Sequence, residues 1–295
     1  MAIKKYMYVT VNRRFEDDIR ISYSKTETAD SVDRIEHGIV RECLRKVGIA
    51  GNIEVTTIAD IPSRGTGLGS SSALTVGLLN ALYAFTGHRA SPKRLAEEAC
   101  EIEIGILGKP IGKQDQYIAA FGNLRFIQFH PSGEVQVEPV DMDAEKKLRL
   151  GESLMLFFTG VTRSSSDILT HQRRNIASRL SVLQEMKKQA CDIRGYLQDG
   201  KSDKMGDILH QAWLNKKQLA ERITNPEIDR AYEAAREAGA IGGKIAGAGG
   251  GGFMLLYCHP KHQHAVRERL KTLSFRELPF SLERDGTKVI FNVRR

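Results

Sequence analysis

The sequence predicts an α+β fold with two domains, and three observations support this prediction. The 295 residues are enough for two domains of ordinary size. Strand-like and helix-like apolar patterns occur together in each half of the chain. A polar, strongly charged stretch at residues 141–151 separates the two halves. We therefore place an N-terminal domain at residues 1–145 and a C-terminal domain at residues 146–295.

In the N-terminal half, β-branched and aromatic residues predict strands at 6–11 and 19–23, which we expect to pair as a hairpin. Apolar residues at spacings of three and four predict a helix over 31–47. A helix over 73–85 is apolar on most sides, which is typical of a buried helix. Ser91 is the expected N-cap of the next helix. The remaining strands of this half are predicted at residues 53–59, 124–129 and 135–140.

The C-terminal half combines long helical patterns with a few short strands. Strands are predicted at 153–158 and, as the last element of the chain, at 288–293. The predicted helices cover residues 164–198, 202–221, 226–238 and 262–273. Between the last two helices lies a run of glycines, followed by an apolar strand pattern.

Composition excludes several classes of protein. Hydrophobic residues make up 41% and charged residues 27% of the chain, so it is neither fibrous nor wholly disordered. The net charge of +8 is compatible with an anionic ligand, but the basic residues are spread out and lack interleaved aromatics, so we expect no nucleic-acid partner. No apolar run is long enough to span a membrane. The four scattered cysteines form no zinc-binding spacing, and we expect a reducing, cytoplasmic location.

A glycine- and serine-rich turn precedes the buried helix. Gly65, Gly67 and Gly69 alternate along it, and three serines, residues 70–72, open the helix. Glycines let the backbone approach a ligand closely, while a helix N-terminus presents unpaired N–H groups to an anion. Serine hydroxyls add donors or helix caps. The spacing matches neither a Walker A loop nor a dinucleotide fingerprint, so the turn is interpreted as an anion-binding loop of another kind.

Two segments carry a family resemblance. PSRGTGLGSSSA, from Pro62, resembles the second signature of the GHMP kinases, a family that includes galactokinase, homoserine kinase and mevalonate kinase. KIAGAGGGGF, from Lys244, is similar to their third signature. Within the family, GKQDQYIAAFGN and LFFTGVTRSSSDIL most resemble heptose 7-phosphate kinases of surface-polysaccharide pathways, with L-fucose kinases as the nearest alternative. The resemblance implies a two-domain fold with an N-terminal β-α-β phosphate-loop domain and a C-terminal α/β domain.

The same resemblance implies the cofactors ATP and Mg²⁺. It implies that the nucleotide contacts Gly65, Gly67, Leu68, Gly69, Ser70, Ser71, Ser72, Gly247 and Gly249, the last two mainly as support for the phosphate loop. It also implies that Ser71 reaches Mg²⁺, which needs a carboxylate as a second ligand. Glu103 lies seven residues after Ala96 and four after Ala99, on a face with room for a buried carboxylate. It matches the metal-binding glutamate of mevalonate-kinase-like members, with Glu101 as the alternative.

Three further residues complete the expected site. Asp115, in the GKQDQ segment, matches the family's proposed catalytic base, a group that orients or deprotonates the attacking hydroxyl. Lys113 is a candidate contact for a substrate or nucleotide phosphate. Arg163, among serines at a helix start, is a second candidate anion contact and would hold a phosphate carried by the substrate. We expect Glu98 and Glu101 to lie on solvated faces of their helix.

The resemblance does not include the family's first signature, a glycine-rich stretch that forms the first strand and contributes to sugar binding. Nothing in residues 1–20 matches it. We therefore expect the first strand and part of the substrate pocket to be missing, through either a truncated gene start or a shortened variant.

The expected activity is ATP-dependent phosphorylation of the anomeric hydroxyl of D-glycero-D-manno-heptose 7-phosphate. One alternative is a sugar 1-kinase of the L-fucose or galactose type. The other is a catalytically silent nucleotide-binding protein of the same fold. The expected partner is a small sugar or sugar phosphate, without nucleic acid or membrane, and the sequence leaves the oligomeric state open.

Overall fold

The computed structural model describes residues 1–61, 65–162 and 165–293, with the backbone alone at residue 165. Its helices and strands confirm the predicted α+β class. The strands are β1 Met7–Arg13, β2 Ile19–Ser22, β3 Thr26–Ala29, β4 Ile53–Ala59, β5 Arg125–Phe129, β6 Val135–Pro139, β7 Leu154–Phe158, β8 Ala240–Ile245, β9 Phe253–Cys258 and β10 Arg276–Glu277. The α-helices are α1 Gly38–Val47, α2 Ser70–Phe85, α3 Pro92–Cys100, α4 Gln114–Phe121, α5 Ala144–Glu152, α6 Ser165–Arg174, α7 Leu180–Gln198, α8 Asp203–Lys217, α9 Pro226–Glu237 and α10 Pro260–Lys271.

The described chain divides into two compact units. The first comprises residues 1–61, 69–137 and 283–293, and the second comprises residues 65–68 and 138–282. The predicted boundary follows residue 145, whereas the structure divides the chain after Val137 and returns the residues from Glu283 onward to the first unit.

The first unit contains a four-stranded sheet in the order β1-β4-β2-β3. The predicted hairpin of β1 and β2 is wrong, because β4 lies between these strands, antiparallel to β1 and parallel to β2. The β2–β4 register places Ile19 beside Ile53 and Ile21 beside Val55, and all four side chains are completely buried. Burial of this apolar set favours β4 in the central position. β2 instead forms its hairpin with β3.

The helices of the first unit cover this core. α2 contributes Leu78, Leu79 and Leu82, none of which is exposed to solvent. α1 begins at Gly38, later than the predicted start, because both oxygens of the Glu27 carboxylate accept backbone N–H groups, from Glu36 and His37. These bonds hold the preceding chain outside the helix. α3 has Ser91 as its N-cap, as predicted, and continues directly into one π-helical segment, Glu101–Ile106.

The second unit contains an antiparallel sheet in the order β10-β7-β9-β8. The predicted helix over 164–198 is two helices, α6 and α7, with one 3₁₀ turn at Ala177–Arg179 between them. The predicted terminal strand at 288–293 is wrong, because no sheet of the described residues includes this segment. Its apolar residues Ile290 and Phe291 are exposed. Among the described residues, no helix has both the length and the apolar character needed to cross a membrane.

Candidate active site

The glycine- and serine-rich turn leads into the N-terminus of α2, as predicted. Gly69 precedes the helix with a left-handed φ of 73°, which glycine adopts without strain, and Ser70 is the first helical residue. The hydroxyl oxygen of Ser70 is buried and has no hydrogen-bond partner among the described residues. Buried polar atoms are usually paired, so an orphaned hydroxyl beside a helix N-terminus fits a site for an anionic ligand.

Gly67, in the part of the turn before Gly69, contacts the second glycine-rich segment. Both belong to the second unit. A Cβ atom on Gly67 would lie 2.6 Å from the carbonyl oxygen of Ala246, and one on Gly247 would lie 2.7 Å from the Cα of Gly67. Both glycines have positive φ angles. A Cβ on Gly249 would lie 2.7 Å from the carbonyl oxygen of Ile223. Two backbones therefore meet at a distance that side chains would not allow.

A buried lysine, which the sequence analysis did not identify, holds the second glycine segment. Lys216 of α8 is 6% exposed, and its Nζ donates to the carbonyl oxygens of Ile245, at 3.0 Å, and Gly247, at 2.5 Å. Burial, with a smaller contribution from the charge of Lys244, lowers the pKa of Lys216 well below its ordinary value. The lysine thus links α8 to the segment that contacts Gly67.

Ser71 and Glu103 lie together in the first unit. The Ser71 hydroxyl donates to Glu103 Oε1 at 2.5 Å, although 32 residues separate the two along the chain. Glu103 has no solvent exposure and lies on the π-helical segment that follows α3. Ala96 and Ala99, the small residues expected beside it, are also completely buried. The structure therefore brings together the hydroxyl and the carboxylate that the sequence analysis selected.

Two residues that the sequence analysis missed complete the shell of Glu103. Lys109 Nζ donates to Ser71 Oγ at 2.7 Å and to Glu103 Oε1 at 2.8 Å, and Gln116 Nε2 donates to Glu103 Oε2 at 2.8 Å. A fully buried carboxylate requires such partners, because burying an unpaired charge is very costly. Glu103 Oε1 and the Ser71 hydroxyl oxygen are hard donors that both contact the Lys109 ammonium, so they also suit a divalent metal ion.

The alternative ligand Glu101 lies elsewhere. It is exposed, and its carboxylate accepts from Lys46 Nζ at 2.6 Å. The expectation that Glu98 is solvated is wrong, since this carboxylate is 9% exposed and accepts from the Tyr83 hydroxyl and from Arg94 Nε, both at 2.8 Å. It belongs to a polar cluster between α2 and α3, separate from Ser71. Among the described residues, no three histidine, cysteine or acidic side chains form a metal-binding group.

Asp115, near the start of α4, lies against the glycine- and serine-rich turn. A Cβ atom on Gly69 would lie 3.2 Å from Asp115 Cβ and Cγ and 3.4 Å from Oδ2. The next residue, Gln116, is the donor to Glu103, so a single helical turn carries both side chains. Lys113 precedes α4, and its Nζ lies 3.4 Å from the carbonyl oxygen of Gly133. Arg163, the second candidate anion contact, lies outside the described residues, as do residues 62–64 of the first motif.

Comparison with known proteins identifies the family of the chain. Residues 34–123 match the model of the GHMP kinases N-terminal domain, and residues 193–274 match that of the GHMP kinases C-terminal domain. D-glycero-alpha-D-manno-heptose 7-phosphate kinase of Campylobacter jejuni is 32% identical over 234 residues, which cover 79% of this chain and 69% of that protein. The chain belongs to the GHMP kinase family. Its members use ATP as the phosphate donor.

Other GHMP kinases are similar over much of the chain. The L-fucokinase/L-fucose-1-P guanylyltransferase of Bacteroides fragilis is 27% identical over 82% of this chain, which spans 25% of that longer protein. The crystal structure of a D-glycero-D-manno-heptose 1-phosphate kinase from Bacteroides thetaiotaomicron superposes with a TM-score of 0.79 at 26% identity, covering 96% of this chain and 86% of that one. A sugar kinase structure from Campylobacter jejuni gives the same TM-score at 27% identity, covering 97% and 87%.

Replacement of the buried lysine, Lys216→Met, should change how stability depends on pH. In the unfolded chain a lysine stays protonated up to a pKa of about 10.4. Because the pKa of Lys216 is lower in the folded protein, unfolding takes up a proton at pH values between the folded and the unfolded pKa. In that range the lysine makes the unfolding free energy rise with pH. The unfolding free energy of the wild type minus that of the variant should therefore increase as the pH rises toward about 10, by up to ~1.4 kcal/mol per pH unit.

Urea unfolding at several pH values measures this difference, in which the titrations of other groups cancel. Lys187→Met, at an exposed position of α7, corrects for the loss of one positive charge. Parallel profiles for the wild type and Lys216→Met would contradict the prediction.

Replacement of Gly69 by alanine should impair phosphoryl transfer more than it impairs stability. The new Cβ would crowd Asp115 and would also be strained by the positive φ angle. Gly87→Ala is the matched control, since Gly87 has a φ of 81° but no atom within 4 Å of the added Cβ. Both variants should lose about 1–2 kcal/mol of stability in urea unfolding. The turnover number of Gly69→Ala alone should fall by about 10–100-fold in an ADP-release assay, and equal turnover in the two variants would refute this reading of the contact.

Proposed function

We propose that this GHMP kinase transfers the γ-phosphoryl group of ATP to the anomeric hydroxyl of D-glycero-D-manno-heptose 7-phosphate. The observation that carries the proposal is the 32% identity, over 79% of this chain, to the Campylobacter jejuni enzyme named for that substrate. The arrangement of Ser71, Glu103 and Asp115 around the N-terminus of α2 supports it.

In this proposal residues 65–72 contact the ATP phosphates. The N–H groups at the start of α2 and the orphaned hydroxyl of Ser70 would donate to phosphate oxygens. Gly247 and Gly249 would support the backbone of residues 65–68 rather than bind the nucleotide themselves. Phosphoryl transfer depends mainly on positioning and on stabilising charge, so a rigid backbone cradle is the expected contribution of such a loop.

Ser71 and Glu103 would hold Mg²⁺. When bound, the ion would neutralise charge on the transferred phosphoryl group. Two protein oxygens suit Mg²⁺, which usually takes its other ligands from water and from substrate phosphates. Gln116 would fix the orientation of the Glu103 carboxylate, so that Oε1 stays directed toward Ser71.

Asp115 would orient the anomeric hydroxyl and accept its proton. Its side chain lies against Gly69, at the N-terminal end of the helix where the phosphates would be bound. Lys113 and Arg163 are candidate contacts for the 7-phosphate of the substrate, since both side chains are cationic. Lys113 immediately precedes α4, and Arg163 stands among serines at a predicted helix start.

A substrate panel tests the proposal. ADP release would be measured with ATP and, in turn, heptose 7-phosphate, L-fucose and D-galactose, and the position of the new phosphate would be read by ³¹P NMR. We expect turnover with the heptose 7-phosphate and a 1,7-bisphosphate product. Preference for an unphosphorylated hexose would replace the proposal with a fucose- or galactose-type 1-kinase. ATP binding without turnover on any sugar would favour a catalytically silent protein.

The substitution Asp115→Asn should lower the turnover number by about 10²–10⁴-fold, because the amide cannot accept the proton. ATP affinity, measured by calorimetry, should stay within about threefold of the wild type, since only the acceptor hydroxyl is affected. Asp141→Asn, at an exposed position, controls for the loss of a carboxylate. An unchanged turnover number in Asp115→Asn would remove this residue from the mechanism.

A further inference from the structure

A lysine ammonium lies where the two proposed metal ligands meet. Lys109 Nζ is 2.7 Å from Ser71 Oγ and 2.8 Å from Glu103 Oε1, and those two oxygens are 2.5 Å apart. Glu103 has no solvent exposure, so the nearby positive charge of Lys109 compensates its buried negative charge. The ammonium thus performs, for this pair of oxygens, the electrostatic role that a metal ion would also perform.

The backbone explains why Lys109 reaches this position. After α3 the chain widens into its π-helical segment, in which the N–H of Leu107 donates to the carbonyl oxygen of Ile102. The N–H of Lys109 then donates to the carbonyl oxygen of Glu103 at 3.0 Å. This bond returns the chain to the level of Glu103, so the side chain of Lys109 lies beside the carboxylate.

Lys109 is also placed so that it can leave. Its side chain is 31% exposed, whereas that of Glu103 is fully buried, so the ammonium can move into solvent without disturbing the core. A divalent cation bound by Ser71 and Glu103 would share both oxygens with the ammonium, and like charges that contact the same atoms repel strongly. The ammonium and a metal ion therefore compete for the same two oxygens.

We propose that Lys109 is a positioning residue that holds Ser71 and Glu103 in place and competes with the divalent cation for them. The inference rests on the metal assignment in the proposed function. Its consequence is that the protein without nucleotide binds a bare divalent cation weakly. The negative charge of a nucleotide triphosphate then favours the entry of the cation, and the cation displaces the ammonium from the two oxygens.

Mn²⁺ binding to the nucleotide-free protein tests this inference without any measurement of activity. The signal of free Mn²⁺ in electron paramagnetic resonance gives its dissociation constant, and displacement by Mg²⁺ shows that both ions share one site. We expect Lys109→Met to bind Mn²⁺ at least about tenfold more tightly than the wild type, because one like charge has been removed. Lys109→Arg, which keeps the charge, should retain weak binding.

Thermal unfolding supplies a second readout. In EDTA, Lys109→Met should melt at a lower temperature than the wild type, because Glu103 loses its compensating charge. Addition of Mg²⁺ should raise the melting temperature of Lys109→Met more than it raises that of the wild type. Lys46→Met is the matched control, since it removes the ammonium paired with Glu101 on the same segment. Its Mn²⁺ affinity should equal that of the wild type. If Lys109→Met is too unstable to purify, Lys109→Gln retains a hydrogen-bond donor without the charge and replaces it in both measurements.

Two outcomes separate this inference from the proposal on which it rests. Wild-type Mn²⁺ affinity in both Lys109→Met and Lys109→Gln would overturn the role of Lys109, whatever the enzyme's turnover. The double variant Lys109→Met, Glu103→Gln should lose the tight Mn²⁺ binding of the single variant. If tight binding persists in the double variant, the metal assignment itself is wrong, and the inference is overturned with it.

Discussion

The completely buried carboxylate of Glu103 is the constraint on which the described site depends. A charge without solvent contact is tolerated only when every oxygen has a partner, and here three side chains from different parts of the chain provide them. Ser71 is the second residue of the buried helix α2, Lys109 follows the π-helical segment, and Gln116 lies in α4. One negative charge thus fixes the relative positions of the elements that also carry Gly69 and Asp115.

The fold class could be predicted because its signals are local. The helix α3 begins as its serine cap and apolar stripe indicate, and β4 and β7 lie within one residue of their predicted limits. Strand pairing could not be predicted, since it depends on which distant segment buries more apolar surface. β4 therefore separates β1 from β2, and the apolar residues at 288–293 form no strand although their pattern favours one.

The site shows the same division between local and distant information. The pairing of Ser71 with Glu103 was foreseeable, because the family resemblance implied that both bind Mg²⁺ and the spacing from Ala96 and Ala99 left room for a buried carboxylate. The contact of Lys109 was not foreseeable. In a continuous α-helix, a residue six positions after Glu103 lies about 240° around the axis from it, on another face. The wider turn after Ile102 changes that direction. Lys216 was hidden for another reason, since nothing in its helical pattern distinguishes a buried lysine from the many exposed ones.

The two carbonyl contacts of Lys216 mean that the glycine-rich segment becomes ordered on folding rather than on binding. Glycine loses more backbone freedom on ordering than any other residue, and four glycines stand in a row at 249–252. Because an amine buried during folding already fixes the carbonyls of Ile245 and Gly247, much of that entropy is lost when the protein folds. A molecule that later binds beside this segment meets a preorganised surface, and more of its interaction energy is retained as affinity.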